Sequence, residues 1–326
     1  MSAPRVVVLM PVKDDWASAS VLVHAVDAAV GKCQPAVCLD VLIVDDGSTE
    51  SWTAEQFSRD LMCVKTVTVL SLFRNLGHQR AIAVGLVHIE SAMQGDAVLV
   101  MDGDGEDTPD GVVELIQAFL ASREKRKLIF AERSRRTDGL IFKLFYRLYK
   151  GLHRVLTGIP VRVGNFSILP WDYLSSLIVF GELWNHYAAA VFRSRLPYTM
   201  IPIARGRRIA GRSHMSFVTL VMHGLSALSV FADVAGVRLL VVFAAGSVLT
   251  AGGIVVVFAV RLFTNAAIPG WATDAAGILA ILSLQLLTAA ASFTVLMLTA
   301  RATPPFIPRR DAPMFVREVI GLYQHA

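Results

Sequence analysis

The sequence predicts an α/β fold in which a parallel sheet is covered by helices and is followed by two membrane-spanning helices. Short apolar runs alternate with helical segments over residues 6–131, which is the pattern of a parallel sheet buried on both faces. Two of the runs end in acidic, glycine-bearing turns. Two long uncharged stretches follow near the C-terminus, at residues 239–260 and 275–300.

The alternation assigns the elements of the sheet in order. Each predicted strand is a short apolar run bounded by turn residues, and these runs cover residues 6–10, 41–44, 67–72, 97–101 and 128–131. The segments between them are long enough for helices, which we predict at residues 16–30, 52–60, 79–94 and 110–122. Pro109 suits the start of the last helix, because proline is tolerated in the first helical turn.

Residues 139–157 have a basic amphipathic pattern, in which leucines and phenylalanines alternate with lysines and arginines at helical spacing. Such a helix lies in the membrane interface or packs on the sheet as a surface helix, and the apolar stretches that follow favour the interface. We therefore divide the chain into a sheet domain at residues 1–215, a juxtamembrane helix at residues 216–236, and residues 237–326, which hold spans at about 238–260 and 275–300 and a basic tail.

The charges around the two apolar stretches predict an orientation. The first stretch has 22 residues without a charge, which is long enough to cross a bilayer as a helix. Buried helices of that length in a soluble core are seldom apolar on every face. The connection at residues 262–274 has no lysine or arginine, whereas four arginines follow the second stretch. By the positive-inside rule, both termini face the cytoplasm.

Cysteine use and charge fit a cytoplasmic, membrane-bound domain. The three cysteines all lie in the sheet domain and lack CxxC spacing, which predicts reduced packing thiols rather than disulfides or a zinc site. The net charge is +5, and the basic residues gather where an anionic membrane surface would lie. We expect membrane lipids, and no nucleic acid, as their partner.

Polar sequences close four consecutive predicted strands. The first strand leads to Pro11 and Asp15, the second to Asp45-Asp46-Gly47-Ser48, and the fourth to Asp102-Gly103-Asp104, while Asn75-Leu76-Gly77 follows the third. The carboxyl ends of parallel strands form one ligand crevice. Carboxylates gathered there would repel each other without a cation. The pattern therefore predicts a divalent metal, Mg²⁺ or Mn²⁺, that holds a phosphorylated ligand.

These four segments resemble glycosyltransferase family 2. The order of a nucleotide-binding domain and two spans is similar to the polyprenyl-phosphate glycosyltransferases, a subgroup that includes bacterial relatives of dolichyl-phosphate mannose synthase. The resemblance implies a Rossmann-like, glycosyltransferase A-type nucleotide-sugar domain with interfacial amphipathic helices and two C-terminal transmembrane helices. It also implies metal-dependent, inverting transfer of a sugar from a nucleotide-diphosphate donor to polyprenyl phosphate. The place would be the cytoplasmic face of a bacterial inner membrane, in cell-envelope glycan or lipid glycosylation.

The resemblance assigns roles to residues one position at a time. Contacts to the nucleotide sugar fall on Pro11, Asp15, Asp46, Asn75, Gly77 and Asp102. Metal ligands fall on Asp102, Asp104 and Glu106, the last at a position where close relatives often carry glutamine. Catalytic roles fall on Asp104 and Asn165, and contacts to the acceptor phosphate fall on Ser213 and His214. Planar guanidinium groups also suit phosphates, so Arg133 is a further catalytic candidate and Arg208 a further candidate for the acceptor phosphate, with lipid head groups as the alternative for each.

Two positions depart from the family's pattern. Asn165 stands where the family commonly has an aspartate that is a candidate base. An acceptor phosphate is already ionised near neutral pH, so we expect Asn165 to position it through hydrogen bonds. His214 stands where the family has lysine, which makes the charge there depend on pH. Glu182 and His186 are a second candidate acid/base pair, and packing of the histidine against aromatic residues is the alternative.

Other functions stay open. The acceptor can be another lipid or a glycan, and two different classes are a nucleotide-sensing subunit of a membrane transporter and an inactive scaffold. The apolar interiors of the spans contain no Asp, Glu, Lys or Arg, which disfavours a transport pathway. The retained aspartates disfavour the scaffold, whereas Asn165 favours it. Donor sugar, nucleotide base and acceptor length are not defined by the sequence, and the spans leave lateral surfaces for a homo-oligomer.

Overall fold

The computed structural model describes residues 3–57, 60–122, 127–133, 151, 153–158, 163–209, 217–264, 268, 270–302 and 305–325. The chain divides into two compact units. The first unit comprises Met1–Leu144, Val161–Val230 and Phe306–Ala326. The second unit comprises Phe145–Pro160 and Phe231–Pro305.

The first unit is built on one mixed sheet. Its strands are β1 Arg5–Val12, β2 Cys38–Asp45, β3 Val64–Leu72, β4 Ala97–Val100, β5 Leu128–Arg133, β6 Val163–Pro170, β7 Tyr198–Ile203 and β8 Val316–Gln324. They lie in the order β7-β5-β6-β4-β1-β2-β3-β8. The neighbours from β4 to β3 are parallel, as are β5 and β7, whereas β6 and β8 run antiparallel to the strands beside them.

Helices cover both faces of this sheet. The helices on the sheet are α1 Trp16–Val30, α2 His78–Ala92, α3 Pro109–Ala121, α4 Leu174–Ile178 and α5 Tyr187–Arg193. The same unit also contains α6 Phe217–Ser229 and, after the apolar helices, α9 Pro308–Asp311. Val6 and Val8 of β1 join the cluster that includes α1 and α3. Val7 and Leu9 join the cluster that includes α2 and α5. Because both faces are buried, β1 reads as an unbroken apolar run, and the predicted α/β fold is confirmed.

Two features of the sheet domain differ from the sequence prediction. Residues 52–60 were expected to form a helix, but the described part of this segment forms only a 3-10 turn, Ala54–Phe57, of which Phe57 alone is buried. A short segment with so little apolar surface has little tertiary packing to stabilise a helix. The sheet was expected to be parallel, whereas two antiparallel strands, β6 and β8, flank its parallel centre.

The C-terminal segment, which the sequence suggested to be a basic tail, instead completes the sheet. β8 pairs antiparallel with β3 along its length. The segment before β8 also packs on the first unit, where the ring of Phe306 stacks on that of Trp184 with centroids 4.1 Å apart. The chain therefore leaves this unit before the apolar helices and returns to it after them.

The second unit holds the two candidate spans. Helices α7 Ala232–Phe263 and α8 Trp271–Ala302 have 32 residues each. Their most apolar windows are 11% and 0% buried, unlike a core helix of a soluble protein, which would be mostly buried. Gly253 of α7 lies close to Leu279 of α8, so a small residue lets the helices approach. Of the predicted interfacial helix at residues 139–157, residues 153–157 are helical, and most of the rest lies outside the described residues.

Candidate functional site

The candidate site forms where the carboxyl ends of β1, β2 and β4 meet. Val12 at the end of β1 is paired in register with Asp45 at the end of β2, and Leu9 is paired with Val100 at the end of β4. The polar segments that follow these strands are therefore neighbours. Residues 204–209, which follow β7, also reach this edge through a salt bridge between Arg208 and Asp15. We call residues 204–209 the basic strap.

Asp14 ties the loop after β1 to the loop after β2. Its carboxylate accepts the backbone N–H groups of Thr49, at 2.6 Å, and of Glu50, at 3.0 Å. Its own N–H donates to the hydroxyl of Ser48 at 3.0 Å. The backbone N–H of Glu50 contributes most to holding the pKa of Asp14 below its ordinary value. The carboxylate of Asp14 is thus hydrogen-bonded to the loop after β2, whereas the neighbouring Asp15 makes the salt bridge to Arg208.

Asp46 fixes the loop after β3. It is 4% exposed, and its two carboxylate oxygens accept the N–H groups of Leu76, at 2.6 Å, and Gly77, at 2.9 Å. Burial raises the pKa of Asp46, while the two N–H donors act in the opposite direction. The adjacent Gly47 has φ of 68°, and a Cβ there would stand 2.6 Å from the backbone N of Asn75. Only glycine lets the two loops approach this closely.

Residues 102–107 form an acidic loop with a defined shape. The N–H of Asp102 donates to the carboxylate of Asp107 at 2.9 Å, and the N–H of Glu106 donates to the carboxylate of Asp104 at 2.9 Å. Burial raises the pKa of Asp104, and the charge of Asp102 raises it further, whereas Arg208 and Arg205 lower it. The negative charges of Asp102 and Asp104 are therefore close enough to repel each other.

The basic strap supplies cations to this loop. The guanidinium of Arg208 lies 3.1 Å from the carboxylate of Asp15 and 2.9 Å from that of Asp104. Arg205 forms a salt bridge with Glu106. Each arginine side chain keeps 22% of its surface exposed. Arg208, which the sequence assigned to an acceptor phosphate, thus neutralises two carboxylates that were assigned to the donor.

Fewer carboxylates than the sequence predicts are placed to hold a divalent cation. Within the part of the chain that the structure describes, no three His, Cys, Asp or Glu side chains converge on one point. Glu106 faces Arg205, so the structure does not assemble the expected set of Asp102, Asp104 and Glu106. Mg²⁺ is commonly held by one or two carboxylates together with waters and substrate phosphates. The two negative charges of Asp102 and Asp104 repel each other, and a cation held in this way would relieve that repulsion.

A series of polar contacts connects the acidic loop to Asn165. Nε2 of His78 lies 3.1 Å from the carboxylate of Asp102 and 2.9 Å from the amide nitrogen of Asn165. The side chain of Gln79 donates to the amide oxygen of Asn165 at 3.2 Å and accepts the N–H of Tyr187 at 2.8 Å. Burial acts to lower the pKa of His78, but the surrounding carboxylates of Asp102, Asp107 and Asp46 together raise it above its ordinary value.

Sequence reasoning missed several of these residues. His78 and Gln79 immediately follow the Asn75-Leu76-Gly77 segment and open α2, so their position after a strand-end loop was an available signal. Arg205 had no such signal, because its partner Glu106 is 99 positions earlier in the sequence (205 minus 106). Asp107 stood in a visible acidic run, but the sequence did not show that its carboxylate accepts a backbone N–H.

The remaining predicted residues lie near the strand ends, elsewhere in the first unit, or outside the described part of the chain. Pro11 lies in β1, and Asn75 accepts the N–H of Gly77 at 2.9 Å. Nδ1 of His186 accepts the N–H of Ala189 at 3.4 Å as a helix cap. The backbone of Arg133 ends β5. The side chain of Arg133 and all of Ser213 and His214 lie outside the described residues.

Comparisons with known proteins point to one family. The model of glycosyl transferase family 2 matches residues 7–175. The uncharacterized glycosyltransferase YkcC of Bacillus subtilis is 25% identical over 242 residues, which cover 72% of this chain and 71% of that protein. Undecaprenyl-phosphate 4-deoxy-4-formamido-L-arabinose transferase of Erwinia tasmaniensis is 25% identical over 226 residues, which cover 68% of this chain and 66% of that protein.

Among solved structures, this chain is similar to glucosyl-3-phosphoglycerate synthase from Mycobacterium tuberculosis, with 16% identity and a TM-score of 0.48. The match covers 72% of this chain and 80% of that chain.

The contacts of Asp46 generate a prediction for the loop after β3. In Asp46→Ala, two backbone N–H groups lose their acceptor, so we expect the free energy of unfolding to fall by about 2 kcal/mol. We also expect faster hydrogen exchange at Leu76 and Gly77, measured by mass spectrometry in detergent. Asp60→Ala, at an exposed position, is the control and should leave exchange at both amides unchanged. Equal exchange in Asp46→Ala and the parent protein would contradict the role of Asp46.

Proposed function

We propose that this chain, which belongs to glycosyl transferase family 2, transfers a sugar from a nucleotide-diphosphate donor to a polyprenyl phosphate at the cytoplasmic face of a bacterial inner membrane. The chain is a glycosyltransferase. The observation that best supports a nucleotide-diphosphate donor is the pair of carboxylates, Asp102 and Asp104, at the carboxyl end of β4 beside the arginines of the basic strap. This arrangement suits a ligand that brings both a diphosphate and a cation.

The donor would lie across the carboxyl ends of the parallel strands, where ligands bind in open α/β sheets. Pro11, Asp15, Asp46, Asn75 and Gly77 shape the nucleotide side of this edge, and Asp102 and Asp104 the diphosphate side. A Mg²⁺ or Mn²⁺ ion held by these two carboxylates would stabilise the negative charge that builds on the leaving diphosphate. Arg208, already beside Asp104 at 2.9 Å, is placed to donate to the same oxygens.

The two candidate spans support a lipid-linked acceptor. Both are long, apolar and almost wholly unburied, so the chain holds its sheet domain next to a membrane. Two relatives that differ in organism carry the name undecaprenyl-phosphate 4-deoxy-4-formamido-L-arabinose transferase. A polyprenyl phosphate has its phosphate at the membrane surface and its chain among the lipids. Ser213 and His214, which precede α6, are our candidates for contacting that phosphate.

The proposed reaction is a single displacement that inverts the configuration at C1 of the sugar. A phosphate oxygen of the acceptor forms a bond to C1, and the bond between C1 and the donor diphosphate breaks and its electron pair leaves with the diphosphate. The acceptor phosphate is already ionised near neutral pH, so the step needs no general base. Asn165 would orient the attacking phosphate, and Arg133 would stabilise the charge on the phosphates.

The first experiment tests sugar transfer and its dependence on metal. Membranes that contain the protein are incubated with a panel of radiolabelled nucleotide sugars, with Mn²⁺, with Mg²⁺, or with a chelator. We expect label in an organic-extractable product that mild acid hydrolyses, and we expect Asp102→Asn and Asp104→Asn to lower its formation at least a hundredfold, as removal of transition-state charge stabilisation does.

Glu114→Gln is the matched control for this experiment, because Glu114 is an exposed carboxylate on α3. It should retain the parent activity. Label that appears only in water-soluble or polymeric glycan would overturn the polyprenyl phosphate acceptor. Transfer that is unaffected by the chelator would overturn the role of the cation.

A second experiment tests the role of Asn165. Asn165→Ala removes the amide that contacts His78 and Gln79, so we expect the KM for the acceptor to rise about tenfold, the cost of one or two hydrogen bonds, with little change in the KM for the donor. Asn185→Ala, at a partly exposed amide, should change neither constant. Unchanged turnover and acceptor affinity in Asn165→Ala would refute the positioning role.

A third experiment tests the orientation of the spans. Single cysteines replace Ile268, between the two helices, and His325, after β8, in a chain whose native cysteines are changed to alanine. Both positions are exposed. A membrane-impermeant maleimide should label Ile268→Cys in intact cells and His325→Cys only after permeabilisation. The opposite pattern would place the sheet domain on the outer face.

A further inference from the structure

We propose that Glu106 and Arg205 form a positioning pair that holds the basic strap on the acidic loop, and that Glu106 is not a ligand of the metal. This proposal deepens the proposed function and rests on it, because it divides the arginines of the strap between two tasks. Arg205 would anchor the strap, and Arg208 would serve the donor diphosphate. The resemblance to the family had assigned Glu106 to the metal.

Backbone contacts show that the strap is docked on the acidic loop. The N–H of Gly206 donates to the carbonyl of Glu106 at 2.8 Å, and the N–H of Ile209 donates to the carbonyl of Asp104 at 3.0 Å. The two contacts are three residues apart on the strap and two apart on the loop. Arg205 and Arg208 are next to the two residues that make these backbone contacts. The side chain of Arg205 pairs with the carboxylate of Glu106, and that of Arg208 pairs with the carboxylate of Asp104.

Glycines make this close docking feasible. Gly105 has φ of 85°, and a Cβ there would stand 2.5 Å from the side chain of Ile209. A Cβ on Gly206 would stand 2.8 Å from the carbonyl oxygen of Gly105. Neither loop can therefore carry a side chain at the point of contact without moving the other. The strap and the acidic loop fit as one surface, and its geometry depends on contacts that keep them together.

Arg205 and Arg208 differ in whether a bound donor would compete for the carboxylates with which they pair. Arg208 pairs with Asp104 and Asp15, which lie on the proposed donor side, so a cation and a diphosphate arriving there would compete with these pairs. Glu106 pairs with Arg205 and takes no part in a group of three carboxylates in the described part of the chain. The Arg205–Glu106 pair can therefore persist while Arg208 exchanges Asp104 for the diphosphate.

Partial burial makes the anchor sensitive to substitution. The side chains of Arg205 and Glu106 keep 22% and 29% of their surfaces exposed. When one member of such a pair is removed, the other is left partly buried without its partner. Removing either residue should therefore loosen the strap in the same way, and removing both should add little to the effect of one.

The test is a double-mutant cycle of Glu106→Ala, Arg205→Ala and the double variant, with Arg205→Lys as the conservative variant. Hydrogen exchange at Gly206 and Ile209 is measured first. We expect each single variant to speed exchange at both amides about tenfold, as loss of a partly buried pair would, the double variant to match the singles, and Arg205→Lys to stay close to the parent. The exposed pair Arg317 and Glu318 on β8, both changed to alanine, is the control and should leave this exchange unchanged.

Binding of Mn²⁺ in the presence of a nucleoside diphosphate, followed by electron paramagnetic resonance, separates the anchor from a metal ligand. We expect Glu106→Ala and Arg205→Ala to leave the dissociation constant of Mn²⁺ within about twofold of the parent and to raise the KM for the donor sugar alike, since both lose the same pair. Weaker Mn²⁺ binding in Glu106→Ala alone, or additive effects on exchange, would overturn the proposal. The exchange result does not depend on sugar transfer, so failure of the proposed function and failure of the anchor are distinguishable.

Discussion

The site depends on how the repulsion between carboxylates at neighbouring strand ends is compensated. Parallel pairing brings the ends of β1, β2 and β4 to one edge, and each ends in acidic residues. The fold compensates these charges locally in two ways. Backbone N–H groups hold Asp14 and Asp46, whereas the arginines of the basic strap hold Asp15, Asp104 and Glu106. Of these pairs, those of Arg208 with Asp15 and Asp104 lie on the proposed donor side, where a ligand can compete for them.

The return of the chain to β8 sets a second constraint. Since β3 precedes the apolar helices, β8 follows them, and the two strands are paired, the helices form a hairpin whose two ends connect to the same unit. If both helices span a membrane, such a hairpin keeps its two ends on one side. The proposed lipid-linked acceptor would then lie in the membrane to which the sheet domain is joined at two points of the chain.

The sequence was sufficient for the elements with strong local patterns. β1 and β2 are buried on both faces and read as apolar runs, and α1 begins and ends at the predicted residues. The polar strand ends were recognisable because parallel strands must align them. β8 was not, since its residues are mostly exposed or half-buried and carry Arg317 and Glu318, a pattern that an edge strand shares with a solvated tail. The Arg205–Glu106 and Gln79–Asn165 contacts join distant segments, and periodicity contains no information about such contacts.

The surroundings of Asn165 explain how an amide can stand where a carboxylate is common in the family. Asn165 is 7% exposed and hydrogen-bonds to His78, which itself lies 3.1 Å from Asp102. A carboxylate here would add a third negative charge near the half-buried Asp102 and Asp104, where burial and like charge already raise the pKa of Asp104. The amide keeps the hydrogen bonds without adding that charge. In the proposed reaction the acceptor phosphate is an anion, and a neutral group at this position would also avoid repelling it.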